Sequence, residues 1–283
     1  MGHYADNIKR IRRQKEIRQA ELAEGICSQG MISKIEKKQL RPDIDLLILI
    51  AKRLGVSVSE LIGEAPENYQ EKLTDYINNM LEFRQYDMLE TYLNTTDSQN
   101  VYVLESFHRE WLEGVILAEN YGKIEEAINK MTNLVTKLEK QTEADMDLKV
   151  NLYNGIAGNY TRINNYKKAA EYVDKGIELV KRIPVKFHVR QKLHYTASLV
   201  KFYLADYVDS VFNAQLALQL AVEKSSLYLV DDLLFLIADA YEADKKYDEA
   251  KKYLAKASLV ADLKNNVQLK VYIERLQSKL DKA

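Results

Sequence analysis

Seven residues between positions 19 and 38 have the chemistry to grip a duplex: Gln19, Ser28, Gln29, Ser33, Lys34, Lys37 and Lys38. Amides and hydroxyls can hydrogen-bond base edges or phosphate oxygens, and ammonium groups can neutralise phosphates. Their spacing says how they would be presented. Leu22, Ala23 and Ile26 make one short apolar helix face, Gly25 permits a sharp bend, and Ser28 is placed to cap a second helix by accepting a backbone N–H. On that second helix Ile32 and Ile35 turn inward. Ser28, Gln29, Gly30, Ser33, Lys34 and Lys37 are left on its outer face.

The flanking elements must hold this pair in place. Before it lies an amphipathic helix with Ile8 and Ile11 inside and Lys9, Arg10, Arg12, Arg13 and Lys15 around them. After it comes the apolar run from Leu46 to Leu54; Gly55 ends that helix, and Ser57 or Ser59 starts the next. Over residues 1–63 the arrangement resembles the lambda-repressor-like (XRE, Cro/CI) DNA-binding domain. The stretches Gln19-Ala20-Glu21-Leu22-Ala23, Ile32-Ser33-Lys34-Ile35-Glu36 and Ile50-Ala51-Lys52-Arg53-Leu54-Gly55-Val56-Ser57 carry that likeness. It implies that Gln19 touches a phosphate, that Gln29 and Lys34 occupy base-reading positions, and that Arg12 and Glu36 form an internal ion pair. From Leu22 to Ile32 the chain is one residue shorter than the common pattern.

Charge divides the chain. Residues 1–63 hold twelve Lys and Arg against eight Asp and Glu, net +4, whereas the remaining residues hold 29 against 34, net −5. A polyanion is attracted to the first part and repelled by the second. The single cysteine, Cys27, excludes a disulfide framework or zinc-finger set and reads as a small buried packing residue. His3, His108, His188 and His194 are not spaced as metal ligands, and His194 reads as a satisfied core histidine. Asp145 and Asp147 lack the rest of a calcium loop. Neither a phosphate-cradling glycine loop nor a nucleophile motif is present, so the expectation is a protein without cofactor or metal that is not an enzyme. The absence of an apolar signal region and of any bilayer-length apolar run points to the cytoplasm.

With only three prolines and ten glycines in 283 residues, the chain is expected to be all-α. Pro66 marks the expected joint, giving domains 1–65 and 66–283. Beyond it, a large residue followed three later by a small or apolar one recurs at Tyr86/Leu89, Ile124/Ala127, Tyr166/Ala169, Tyr207/Ser210 and Tyr247/Ala250, a period of 38–42 residues. Such a period belongs to helical repeat arrays, whose pairs must stack because one pair cannot bury its own apolar face. The spacing predicts five helix pairs and a capping helix from about Asn266 to Leu280.

Two pairs are similar to the tetratricopeptide (TPR) consensus, one built around Tyr153, Ala157, Tyr160, Tyr166 and Ala169, the other around Leu234, Ala238, Tyr241, Tyr247 and Ala250. In such arrays the ligand faces the first helix of each pair. Counting back from the anchors gives Asn78 and Arg109 in the first two pairs, Asn151, Asn154, Gly158 and Arg162 in the third, Tyr195 and Phe202 in the fourth, and Asp232, Phe235 and Asp239 in the fifth. Glu71, Thr74, Lys192, Leu199, Tyr203 and Glu242 fall on the same faces. Asn and Arg suit the N–H and C=O groups of an extended backbone, and the aromatic rings suit its side chains.

A Cro/CI-type reader joined to about five degenerate TPR-like pairs resembles the RRNPP group of peptide-responsive regulators of Gram-positive bacteria, most closely its PlcR type. The stretch Glu24 to Gln29 before Ile32, with the same short turn, and Asn151-Leu152-Tyr153 with Ile156, Ala157 and Tyr160 carry the closer likeness. It implies a quorum-sensing transcription regulator that binds palindromic operator DNA as a homodimer assembled through the repeats. It also implies a coupling helix near 68–81 and a short signalling peptide as ligand. Two other readings fit the same residues: a mobile-element repressor whose repeats dock a protein antirepressor, and a TPR adaptor without a peptide ligand.

Overall fold

The computed structural model describes residues 4–56, 58–62, 69–95, 106–141 and 145–282, and among them the secondary structure is entirely helical. The expected joint at Pro66 and the Ser57 cap lie outside the described residues. Five short helices come first: α1 Tyr4–Gln14, α2 Gln19–Ala23, α3 Gln29–Glu36, α4 Ile44–Leu54 and α5 Val58–Ile62. Their boundaries follow local chemistry. The Asp43 side chain accepts from the Leu46 N–H at 2.8 Å to open α4, and Gly55 closes it at φ 58°, a left-handed conformation that favours glycine.

The pairs then follow in order: α6 Tyr69–Glu82 with α7 Tyr86–Thr95, α8 Ser106–Glu119 with α9 Ile124–Leu138, and α10 Met146–Arg162 with α11 Tyr166–Arg182. They continue as α12 Phe187–Tyr203 with α13 Tyr207–Glu223, and α14 Val230–Ala243 with α15 Tyr247–Leu263, before the single helix α16 Val267–Leu280. The second helix of every pair starts on the anchor residue read from the sequence. The turns repeat as well. Two residues before each of these starts the chain is left-handed, at Arg84, Gly122, Asn164, Ala205 and Lys245. Where that residue is not glycine, the next N–H bonds back five residues, as in Asn165 to Tyr160, Asp206 to Lys201 and Lys246 to Tyr241, the closing bond of a Schellman turn.

By compactness the chain forms two units, Met1–Gly122 and Lys123–Ala283. The division falls within the second pair rather than at the Pro66 joint, because the first pair packs with the head: α7 lies against α4, α6 and α8. Tyr76 of α6 is buried, and burial together with Asp45 and Asp43 at the start of α4 holds its phenol far above its ordinary range. In the second unit α10 touches α12, α12 touches α14 and α14 touches α16, while α10, α12 and α14 also pack on their own partners. They form a continuous layer. Small residues permit this closeness: Ala157, Ala169, Ala214, Ala238, Ala250 and Ala257 are all fully buried.

Two glycines inside these helices have opposite surroundings. A Cβ on Gly176 of α11 would come within 2.7 Å of Leu193 Cδ1, and Leu193 is itself locked in a buried cluster with Val150, Val180 and Val189. A Cβ on Gly158 of α10 would meet nothing within 4 Å. Glycine inside a helix costs about 1 kcal/mol relative to alanine, so Gly158→Ala should raise the melting temperature. Gly176→Ala should lower it, by an overpacking cost of about 1–3 kcal/mol that outweighs the same helix gain. Thermal unfolding followed by circular dichroism distinguishes the two.

Candidate functional site

The head's reading surface is built from the turn outward. After α2, Gly25 at φ 69° reverses the chain, and the Ser28 hydroxyl accepts from the Met31 N–H at 3.2 Å to start α3. Ile32 and Ile35 are fully buried. Gln29, Lys34, Lys37 and Lys38 are exposed beside Ser28, and Ser33 is half-buried on the same helix. Arg53 of α4 donates to the Glu21 and Glu24 carbonyls, each at 2.7 Å, and so clamps the end of α2. Lys38 pairs with Asp6 of α1 at 2.6 Å across an exposed surface.

Beneath this surface Glu36, at the end of α3, is buried and collects three donors: Arg12 Nε at 2.6 Å, Arg12 Nη2 at 3.0 Å and Gln19 Nε2 at 2.8 Å. Burial alone would raise the Glu36 pKa, but the bonds from Arg12 and Gln19 and the positive charge of Arg12 and Lys9 outweigh it and hold the carboxyl below its usual range. The Arg12–Glu36 pair expected from the family likeness is therefore present. Gln19 does more than the family likeness implies. One N–H of its amide donates to Glu36 at 2.8 Å, so it braces the recognition helix from below, and its second N–H remains to meet a phosphate. Cys27 differs from its expected burial: it is half-buried, with its thiol toward the Ser28 carbonyl at 3.6 Å, because the bend leaves it at the rim of the helix pair. Met31 was missed by a search for polar groups. It is 37% exposed on α3, where a thioether can touch a thymine methyl.

The inner-face candidates separate between the two units. Asn78 is half-buried in the first unit, where the Arg109 guanidinium is engaged with the Leu93 carbonyl at 2.7 Å and with Glu113 at 3.2 Å. Arg109 thus holds α8 to α7. The side chains of Glu71 and Thr74 lie outside the described residues. The second unit brings the remaining nine onto three consecutive helices of one layer: Asn151, Asn154, Gly158 and Arg162 on α10, Tyr195 and Phe202 on α12, and Asp232, Phe235 and Asp239 on α14. Asn154 stands out, since its Oδ1 is buried without a hydrogen-bond partner, a condition that normally costs about 1–3 kcal/mol. Asn159, on the same helix, is buried on the packing side at 5% exposure.

Several aromatic candidates also serve the core. Tyr195 and Phe202 pack against Val211, Leu233 and Ile237. Phe235 faces Tyr272 of α16 with ring centroids 6.3 Å apart. Tyr272, 54% exposed, belongs to the same layer, because α16 stacks on α14 as a further first helix as well as capping the array. His194 is half-buried with Nδ1 3.0 Å from Asn213 Oδ1, and burial lowers its pKa. Among the described residues no group of three or more His, Cys, Asp or Glu converges as a metal site, and no helix is long and apolar enough to cross a membrane.

Residues 8–61 match the helix-turn-helix family model HTH_3. The head is a helix-turn-helix domain. At the level of the whole chain the fold is that of PlcR from Bacillus thuringiensis, in complex with the peptide PapR7 and DNA, at 18% identity and a TM-score of 0.62, covering 98% of this chain and 99% of that one. It is also that of ComR from S. thermophilus, in complex with DNA and its signalling peptide ComS, at 17% identity and a TM-score of 0.53, covering 98% and 99%. RapI in its apo form is similar over 75% of this chain and 81% of its own, at 16% identity and a TM-score of 0.58. No curated relative matches the sequence.

The lowered pKa of Glu36 fixes a pH dependence. Its contribution to stability is fully present above the ordinary glutamate value and is lost as pH falls through the lowered one. Glu36→Gln should flatten the acid limb of the head's unfolding curve, monitored as the loss of helicity between about pH 5 and pH 2. Arg12→Ala, which strands a buried carboxylate, should cost about 3 kcal/mol at pH 7 in denaturant unfolding.

Proposed function

We propose that this protein is a transcription regulator and not an enzyme: the head binds operator DNA, the chain works as a homodimer joined through its repeats, and a short peptide bound on the first helices of the second unit switches it. The observation that carries this reading is the union in one chain of a helix-turn-helix domain with stacked helix pairs, over the full length of a fold whose solved examples include PlcR and ComR in complex with DNA and peptide. Three features of this chain support it. The outer face of α3 offers Ser28, Gln29, Lys34 and Lys37 on a domain of net +4. The inner layer carries an unpartnered amide oxygen at Asn154 and open space over Gly158 on the same face of α10, a place where an extended backbone can approach and donate an N–H.

Apolar side chains left uncovered at the end of the array support the dimer. Leu259 and Leu263 of α15 are 63% and 73% exposed, and Val267 of α16 is 64% exposed; a second copy would cover them. Two heads bound to one another gain affinity for DNA only when their recognition helices meet successive major grooves about 34 Å apart. The peptide would act through a difference in its affinity for two arrangements of the repeats, since a ligand that binds both equally shifts nothing.

Fluorescence anisotropy with DNA from the protein's own promoter region, alongside calorimetry with candidate penta- to octapeptides, tests the division of labour. Lys34→Ala should weaken DNA binding and reduce the slope of log affinity against log salt by about one, and Gln29→Ala should relax sequence preference. Both should leave peptide affinity within about twofold, and Asn154→Ala should do the reverse. Equal loss of both activities in every variant would overturn the proposal.

A further inference from the structure

Helix α14 carries four acids, Asp231, Asp232, Asp239 and Glu242, and three of them are treated differently. Asp231 is fully buried and takes the Lys264 ammonium and the Asn266 amide, the latter at 2.8 Å. Glu242, 7% exposed, takes Lys279 at 2.5 Å. Asp239 lies between them, half-buried one turn beyond Phe235 on the same helix face. Among the described residues no cation reaches it at ion-pair distance: the ammonium whose charge it feels, Lys279, is committed to Glu242. Burial raises the Asp239 pKa, with Lys279 opposing and Glu242 adding to the shift. Two acids on this helix are neutralised by the protein, and the third is left over.

The surroundings of Asp239 are aromatic. Tyr203, at the end of α12, stacks on Tyr166 at 4.8 Å with ring planes 6° apart and is still 48% exposed. Its phenol is raised by burial first and then by the nearby charges of Tyr166, Asp239 and Tyr272, and Phe235, one turn before Asp239, lies with its ring centroid 6.3 Å from that of Tyr272. Arg275 already lies 5.8 Å over the Tyr272 ring, so this wall accepts a guanidinium. A half-buried carboxylate beside aromatic rings attracts a cation by charge, to which the ring quadrupoles add, and it repels an anion.

We infer that the peptide ligand carries a positive group, a Lys or Arg side chain or its own N-terminal ammonium, and that this group docks on Asp239 against the rings of Tyr203 and Tyr272. The inference rests on the peptide reading above and adds the charge class of the ligand. If Asp239 were only structural, asparagine would serve as well or better, because it removes a carboxylate whose burial is uncompensated in the empty protein.

The test titrates full-length protein with synthetic heptapeptides in which one position at a time is Lys, Arg, Gln or Glu, each made with a free and with an acetylated N-terminus. A side-chain cation predicts that Lys or Arg at one position binds at least tenfold tighter than Gln, with acetylation having little effect. An ammonium cation predicts that acetylation alone causes that loss. In either case Asp239→Asn should remove about tenfold for the cationic peptides and far less for the neutral ones, while raising the melting temperature of the peptide-free protein. Tyr203→Leu should weaken cationic peptides several-fold. Peptides that bind without charge preference, or a preference untouched by Asp239→Asn, overturn the inference and leave the peptide reading standing; no peptide binding at all overturns both.

Discussion

A pair of helices joined by a tight turn has more apolar surface than it can cover alone, and most of this molecule follows from that shortage. Each pair in the second unit completes its core with the next, through alanines where the helices cross and through Leu193 filling the space above Gly176. The arrangement also decides which surface is available for function. First helices touch one another while also touching their own partners, so their remaining face becomes one long lining contributed by four helices. Residues far apart in sequence, such as Phe235 and Tyr272, meet there because stacking repeats the same angular position every forty or so residues.

The head solves a different problem, that of holding a short recognition helix steady with a very small core. Ile32 and Ile35 anchor α3 from within, but its far end is fixed by charge: Glu36 ties it to α1 through Arg12 and to α2 through Gln19. Arg53 adds the fourth helix by clamping the end of α2. Arg12 and Gln19 thus link three helices around one carboxylate, and Arg53 ties the fourth to them through backbone carbonyls. The first repeat pair extends this unit, since α7 rests on α4 and Tyr76 is buried beside the start of that helix. A displacement of α6 or α7 therefore has a mechanical path to the base of the DNA-reading pair, through contacts that are already in place.

Much of this was legible in the chain. The caps at Ser28 and Gly55, the anchors that open α7, α9, α11, α13 and α15, and the final helix are local signals, and local signals survive folding. What the sequence hid were contacts made by long, multivalent side chains. Nothing in the spacing says that Gln19 turns inward to Glu36, that Arg109 is engaged by Leu93 and Glu113, or that the head's compact unit continues through the first pair to Gly122. Asn154 was legible as an unusual residue for a helix interior; only its surroundings reveal an oxygen with no partner. Tyr272 was hidden by treating the last helix as a lid, when the stacking rule makes it part of the lining.

The left-handed residue that precedes every second helix has a further meaning. Arg84, Asn164, Ala205 and Lys245 hold a conformation in which glycine would be more comfortable, and each is followed by the same backward bond. The instruction to reverse direction is thus written within six residues of each corner and does not depend on what stands at the neighbouring corners. A duplication or deletion of one forty-residue module would leave all other corners intact and the reading frame of buried alanines unbroken. Descendants of such a chain can lengthen or shorten their inner lining in whole modules, and so change how much of a guest they enclose, without redesigning the parts they keep.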